Sequence, residues 1–225
     1  MHIIWFGLSS FKIITKDTTI FTDPFGKIAG PTPPRGGGNI VISSNPDSEL
    51  YNNFSSITGS PFVIDGPGEY DVRGVSIRGI PAGKSSLTNP GEINDKTAKT
   101  YDRRTIYSLS LEGINLGFLG GFGEKSLSES QIEELSDVDV LILPVGGNSV
   151  CNAEAAVAIV NELEPKVVIP MHYKTPGFNA KLDPIEKFLK EMGGKGEEMD
   201  KLLLKKNDLE EEKTKLIVLA PQRSA

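Results

Sequence analysis

The chain has 225 residues, 38% of them hydrophobic, and a formal net charge of −6; that length is enough for one domain with a substantial core. The acidic balance disfavours nucleic-acid binding, which needs clustered Lys and Arg; the lysine-rich stretch 201–215 is broken by Asp208-Leu209-Glu210-Glu211-Glu212 and reads as solvated surface. No apolar run approaches membrane-spanning length, Met1 to Phe6 runs into Gly7 too soon for a signal peptide, and Cys151 alone makes no internal disulfide, so the expectation is one cytoplasmic domain over 1–225.

In chain order, residues 2–6, 11–15 and 18–22 are rich in Ile, Phe and Thr and separated by turn residues, which predicts an antiparallel meander. Residues 39–43 predict another strand. Pro46-Asp47-Ser48-Glu49-Leu50 has the Pro and acids of a first helical turn, with Asp47 as its cap. The sheet resumes at 62–64 and 75–80, with Gly66-Pro67-Gly68 as the turn between them. Gly36-Gly37-Gly38 reads as a flexible loop, and the polar stretch 83–102 as an exposed excursion.

Residues 106–111 and 114–119 flank Glu112-Gly113, a hairpin signal. Helices are predicted at 128–135, 153–163 and 183–192, alternating with apolar strands at 138–143, 166–169 and 215–219. This order predicts two sheets packed face to face under outer helices. Gly79-Ile80-Pro81-Ala82-Gly83-Lys84-Ser85 is one residue short of the phosphate-loop spacing, and nucleotide binding there is set aside.

The strand Val167 to Met171 delivers His172 to a strand end, where an imidazole commonly serves a metal or a proton transfer; the other histidine is His2. Ile3-Ile4-Trp5-Phe6-Gly7, Asp23-Pro24-Phe25, Ile40 to Ser48, Asp65 to Tyr70, Leu119-Gly120, Pro144 to Gly147 and Pro170 to Thr175 follow in an order that resembles the metallo-β-lactamase superfamily, in particular its short zinc-dependent hydrolases related to L-ascorbate-6-phosphate lactonase. The resemblance implies an α/β four-layer αββα sandwich of two mixed sheets. It also implies a His-x-His-x-Asp-His loop, for which this chain has Ser43-Ser44-Asn45-Pro46-Asp47-Ser48. At the other implied ligand positions stand Leu8, Lys84 and Gly121, and His172 alone matches the last histidine.

These replacements lead to the expectation of no cofactor, with zinc if the degenerate reading is wrong and a single Mg²⁺ or Mn²⁺ on Asp23, Asp47 and Glu69 as a further alternative. Asp23, Glu69 and Tyr173 are expected at the site rim, and Asp47 and His172 are the leading catalytic candidates. The expected function is a non-catalytic binding or scaffolding protein with a small-molecule ligand, self-association or a second subunit as partner. The alternative is a residual or metal-dependent hydrolase of a small phosphorylated or lactone substrate.

Overall fold

Alternating burial organises the first sheet. In β1 (His2–Gly7) Ile3 and Trp5 are fully buried while His2 is exposed, and β2 (Ser10–Ile14) and β3 (Thr19–Thr22) return against it, pairing Trp5 with Phe11 and Phe11 with Thr22. The protein is described by a computed structural model over residues 1–83, 103–210 and 213–223. The predicted excursion from Lys84 onward lies outside those residues.

After the meander the sheet turns parallel. β5 (Ile40–Ile42) pairs with β3, and β7 (Phe62–Ile64) with β5. On the far edge β15 (Leu202–Leu203) pairs with β1, His2 opposite Leu203. The lysine-rich stretch is therefore not only solvated surface: it supplies this edge strand and buries Leu204. Gly36-Gly37-Gly38 is likewise no flexible loop, because Gly36–Gly37 is β4 of a two-stranded sheet with β6 (Ile57–Thr58).

The second sheet begins with β8 (Gly68–Val72) and β9 (Val75–Pro81), joined at Arg73-Gly74, both with positive φ as a two-residue hairpin turn requires. Gly66-Pro67-Gly68 therefore leads into β8, and the strands on either side of it lie in different sheets. β10 (Thr105–Leu111) and β11 (Ile114–Phe118) form the hairpin predicted at Glu112-Gly113. β12 (Val140–Pro144), β13 (Val167–Met171), β16 (Lys215–Leu219) and β14 (Glu197–Met199) then add in parallel, giving the order β14-β16-β13-β12-β11-β10-β9-β8.

Helices follow where the apolar spacing places them. α1 (Glu129–Glu134) starts on a Ser128–Gln131 capping box, and Asn152 caps α2 (Ala153–Leu163), whose Ala156 and Ile159 are fully buried. α3 (Ile185–Glu191) packs against α2 and buries Phe188. Residues 46–50 form turns rather than a helix, so Asp47 caps nothing. Between the sheets one apolar core runs from Ile3 and Trp5 through Phe11, Ile42 and Phe118 to Ile142 and Ile169. Among the described residues no helix is long and apolar enough to cross a membrane.

Candidate functional site

Several strands from both sheets end at one place, and their ends share an unusual backbone. Leu8 after β1, Asp23 after β3, Gly120 after β11 and His172 after β13 have φ of 48°, 41°, 52° and 54°. For residues other than glycine this left-handed conformation costs about 1–2 kcal/mol, and such strain concentrates at functional sites. Backbone hydrogen bonds lock the turns together: His172 N donates to Leu8 O at 3.1 Å, and Asp23 N to Ile42 O at 2.8 Å. Trp5 Nε1 also donates to Leu8 O, at 2.9 Å.

At the centre is Asp23, fully buried. Its Oδ1 accepts from Ser44 N at 2.6 Å and its Oδ2 from Ser44 Oγ at 2.7 Å. Ser44 Oγ in turn accepts from Gly121 N at 3.0 Å, and Ser44 O from Thr105 N at 2.9 Å. Tyr107 OH donates to Ser43 O at 2.7 Å, so β10 braces the loop from behind. Burial pushes the Asp23 carboxyl up from 3.8 to about 7 against the lowering effect of the Ser44 bonds. Burial also drives the His172 imidazole down from 6.5 to about 4, leaving it neutral.

Bulky groups fill the remaining space. The Tyr51 ring stacks near His172, 6.0 Å between centroids and 25° between planes. A Cβ at Gly121 would lie 2.9 Å from Tyr51 Oη, and one at Gly120 only 2.1 Å from Ser44 Cβ. On the outer side the Phe178 ring sits over Gly7, where a Cβ would be 2.1 Å from Cζ, and packs edge-on against Phe25 at 5.4 Å.

Of the residues singled out from the sequence, the structure brings together Leu8, Ser43, Gly121 and His172; Lys84 lies outside the described residues, and the others are placed as follows. Asp23 is the buried centre, not the rim. Asp47 is exposed, with Oδ1 3.5 Å from Arg103 Nη1, while Arg103 Nη2 lies 2.8 Å from Asp65 Oδ2; Asp47 has no hydrogen bond to His172. Asn45 and Ser48 occupy the turns beside Asp47, the Ser48 hydroxyl accepting from Leu50 N at 3.4 Å. Glu69 is on edge strand β8, paired with Arg78 at 3.2 Å. Tyr173 turns toward the core, 5.0 Å from the Trp5 ring. Ser44, Tyr51, Tyr107 and Gly120 were not anticipated; the one local signal was the doubled Ser43-Ser44 and Gly120-Gly121, small residues after apolar strands.

A family model described as beta-lactamase superfamily domain matches residues 2–172. The chain belongs to the beta-lactamase superfamily. Among its superfamily relatives, a metal-dependent hydrolase of Pyrobaculum islandicum is 29% identical over 201 residues, 78% of this chain and 85% of that one. Another metal-dependent hydrolase, from Natranaerobius thermophilus, is 50% identical over 148 residues, 62% and 60% of the two chains. A metallo-beta-lactamase superfamily protein of Thermotoga maritima, named as a candidate Zn-dependent hydrolase, has a crystal structure matching with TM-score 0.76 and 30% identity over 97% of both chains. The αββα fold class inferred from the sequence is thereby shown.

The names of these relatives overturn the expectation of no cofactor: metal dependence is typical of this family. The donor set at the strand ends does not fit a zinc site. Zinc takes three or four ligands from His, Cys, Asp and Glu. No group of three or more such residues gathers among the described residues. Both Asp23 oxygens are engaged by Ser44, and the buried side-chain atoms left without a hydrogen-bond partner include only a hydroxyl, Ser43 Oγ, and one imidazole nitrogen, His172 Nδ1, from the candidate set. The three carboxylates expected to share a Mg²⁺ or Mn²⁺ have separate partners: Ser44 for Asp23, Arg103 for Asp47 and Arg78 for Glu69.

Proposed function

We propose that this beta-lactamase superfamily member is a binding protein that keeps the frame of a hydrolase without its turnover. The supporting observation is the engagement of Asp23. Hydrolysis on this frame needs a polar group free to hold or move a proton at an attacking water, within about 2.6–3.2 Å of it. Both Asp23 oxygens instead accept from Ser44, whose hydroxyl also accepts from Gly121 N; His172 Nδ1 has no hydrogen-bond partner, but the imidazole is buried, with the Tyr51 ring stacked beside it. The four left-handed turns then serve to position loops rather than reactants, and a small-molecule ligand is the partner this reading implies.

The test is turnover by the purified chain on bis(4-nitrophenyl) phosphate and on a γ-lactone, measured without added metal and again with Zn²⁺ or Mn²⁺. The expected result is no rate above buffer in any condition. A rate that saturates with substrate and disappears in Asp23→Asn or His172→Asn overturns the reading in favour of a hydrolase.

A further inference from the structure

A cavity of about 790 Å³ lies between two short 3-10 turns, Lys27–Ala29 and Phe54–Ser56, and the β4–β6 pair. None of these pieces extends either large sheet. Their effect is to hold polar groups around one space. Pairing of Gly36 with Ile57 and Gly37 with Thr58 sets Arg35, just before β4, on the same wall as Ser56 and Thr58. Gly26 N donates to Glu49 O and Asn53 N to Pro24 O, each at 2.8 Å, which ties the wall bearing Lys27 to the one bearing Glu49. Asn52 Nδ2 donates to Pro46 O at 2.7 Å, which orients that amide.

The charge of this space differs from that of the molecule. Lys27 and Arg35 outnumber Glu49 in the lining, a local excess of one positive charge on a chain of net −6. A field of that form repels polyanions at long range. Within a Debye length of about 8 Å at physiological salt, the two cations still attract a small anion. The volume falls in the range of about 300–1,000 Å³ usual for small-molecule sites, and the rest of the wall is rich in amide and hydroxyl groups suited to alcohol groups on a ligand.

We propose that this cavity binds a small hydroxylated carboxylate, its carboxylate held by Lys27 and Arg35 and its hydroxyl groups by Asn52, Ser56 and Thr58. The proposal rests on the binding reading given above and locates its ligand.

Titration calorimetry on the whole chain with L-tartrate, succinate and erythritol tests it. Tartrate carries both charge and hydroxyls, succinate only charge, and erythritol only hydroxyls. Tartrate is expected to bind at least about tenfold more tightly than either of the others, and about tenfold more weakly to Lys27→Glu, as loss of one charge-assisted contact implies. Lys27 is exposed, and a melting curve shows that the variant is folded; Lys27→Gln carries the same test if it is not. No tartrate binding, equal binding of succinate, or unchanged affinity in the folded variant overturns the proposal. A silent titration leaves the absence of turnover untouched, whereas turnover on the phosphodiester or lactone removes the binding reading whatever tartrate does.

Discussion

Asp23 and Ser44 are joined twice, Ser44 N to Oδ1 at 2.6 Å and Ser44 Oγ to Oδ2 at 2.7 Å, with all four atoms in the buried interior. Deleting the carboxyl leaves two buried donors without a partner, each costing about 1–3 kcal/mol. Asp23→Ala is therefore expected to lower unfolding free energy by about 2–5 kcal/mol. Asp23→Asn should cost less, because its carbonyl still accepts and Asn tolerates the left-handed backbone. Urea denaturation of the two variants decides the point, and equal losses would count against it.

Two of the buried titratable groups, Asp23 and His172, pull in opposite directions with pH. Asp23, raised from 3.8 to about 7, contributes stability that is complete below about pH 4 and lost as pH rises through 7. His172, lowered from 6.5 to about 4, contributes stability that is complete above about pH 6.5 and lost as pH falls through 4. Between those limits the two slopes oppose one another, each up to about 1.4 kcal/mol per pH unit. Denaturation across this range should show stability falling with pH in His172→Asn and rising in Asp23→Asn, relative to the parent chain. Parallel profiles for all three proteins would exclude the pairing.

Gly120 and Gly121 carry the close approach of Ser44 and Tyr51. Gly120→Ala places a Cβ 2.1 Å from Ser44 Cβ at a φ of 52°, so overpacking and backbone strain combine in a loss of about 2–5 kcal/mol. Gly121→Ala meets Tyr51 first, with Oη at 2.9 Å and the ring at 3.0 Å. Its cost should be recovered in part by Tyr51→Leu, with a coupling of about 0.5–3 kcal/mol in a double-mutant cycle. Strict additivity would show that the ring does not fill this space.

Cys151 is buried, its Sγ donating to Pro144 O at 2.8 Å, and burial pushes the thiol up to about 12. The native protein should be inert to 5,5′-dithiobis(2-nitrobenzoate) at pH 8 and release one thiolate equivalent when unfolded in guanidinium. Rapid labelling of the folded chain would contradict the packing.

What the sequence disclosed follows from local physics. Val140 to Leu143 and Val167 to Ile169 are unbroken apolar runs because these central strands are covered on both faces, and Glu112-Gly113 carries the positive φ values that its hairpin turn demands. β8 escaped notice because Gly68-Glu69-Tyr70-Asp71-Val72 is an edge strand with only Tyr70 and Val72 turned, partly buried, to the core, and β15 because two residues become a strand only beside β1. The site was legible as a set of strand ends, and His172 could be placed at one of them. The roles of Asp23 and Asp47 were not legible: Asp23 is buried by β5 and β11, far away along the chain, whereas Asp47 is drawn outward by Arg103. Ser44 and Tyr51 owe their importance to partners more than 20 residues distant, which no local spacing reports.

The pairing of His2 with Leu203 has a consequence for biosynthesis. During translation the outer border of β1 stays bare until some 200 residues have been polymerised, and a ribosome adds them at about 5–20 residues per second. For roughly 10 s or more the nascent chain presents an open β edge, the usual starting point for wrong intermolecular pairing. Slower elongation therefore prolongs that exposure, and closure of the edge is among the last events of folding on the ribosome.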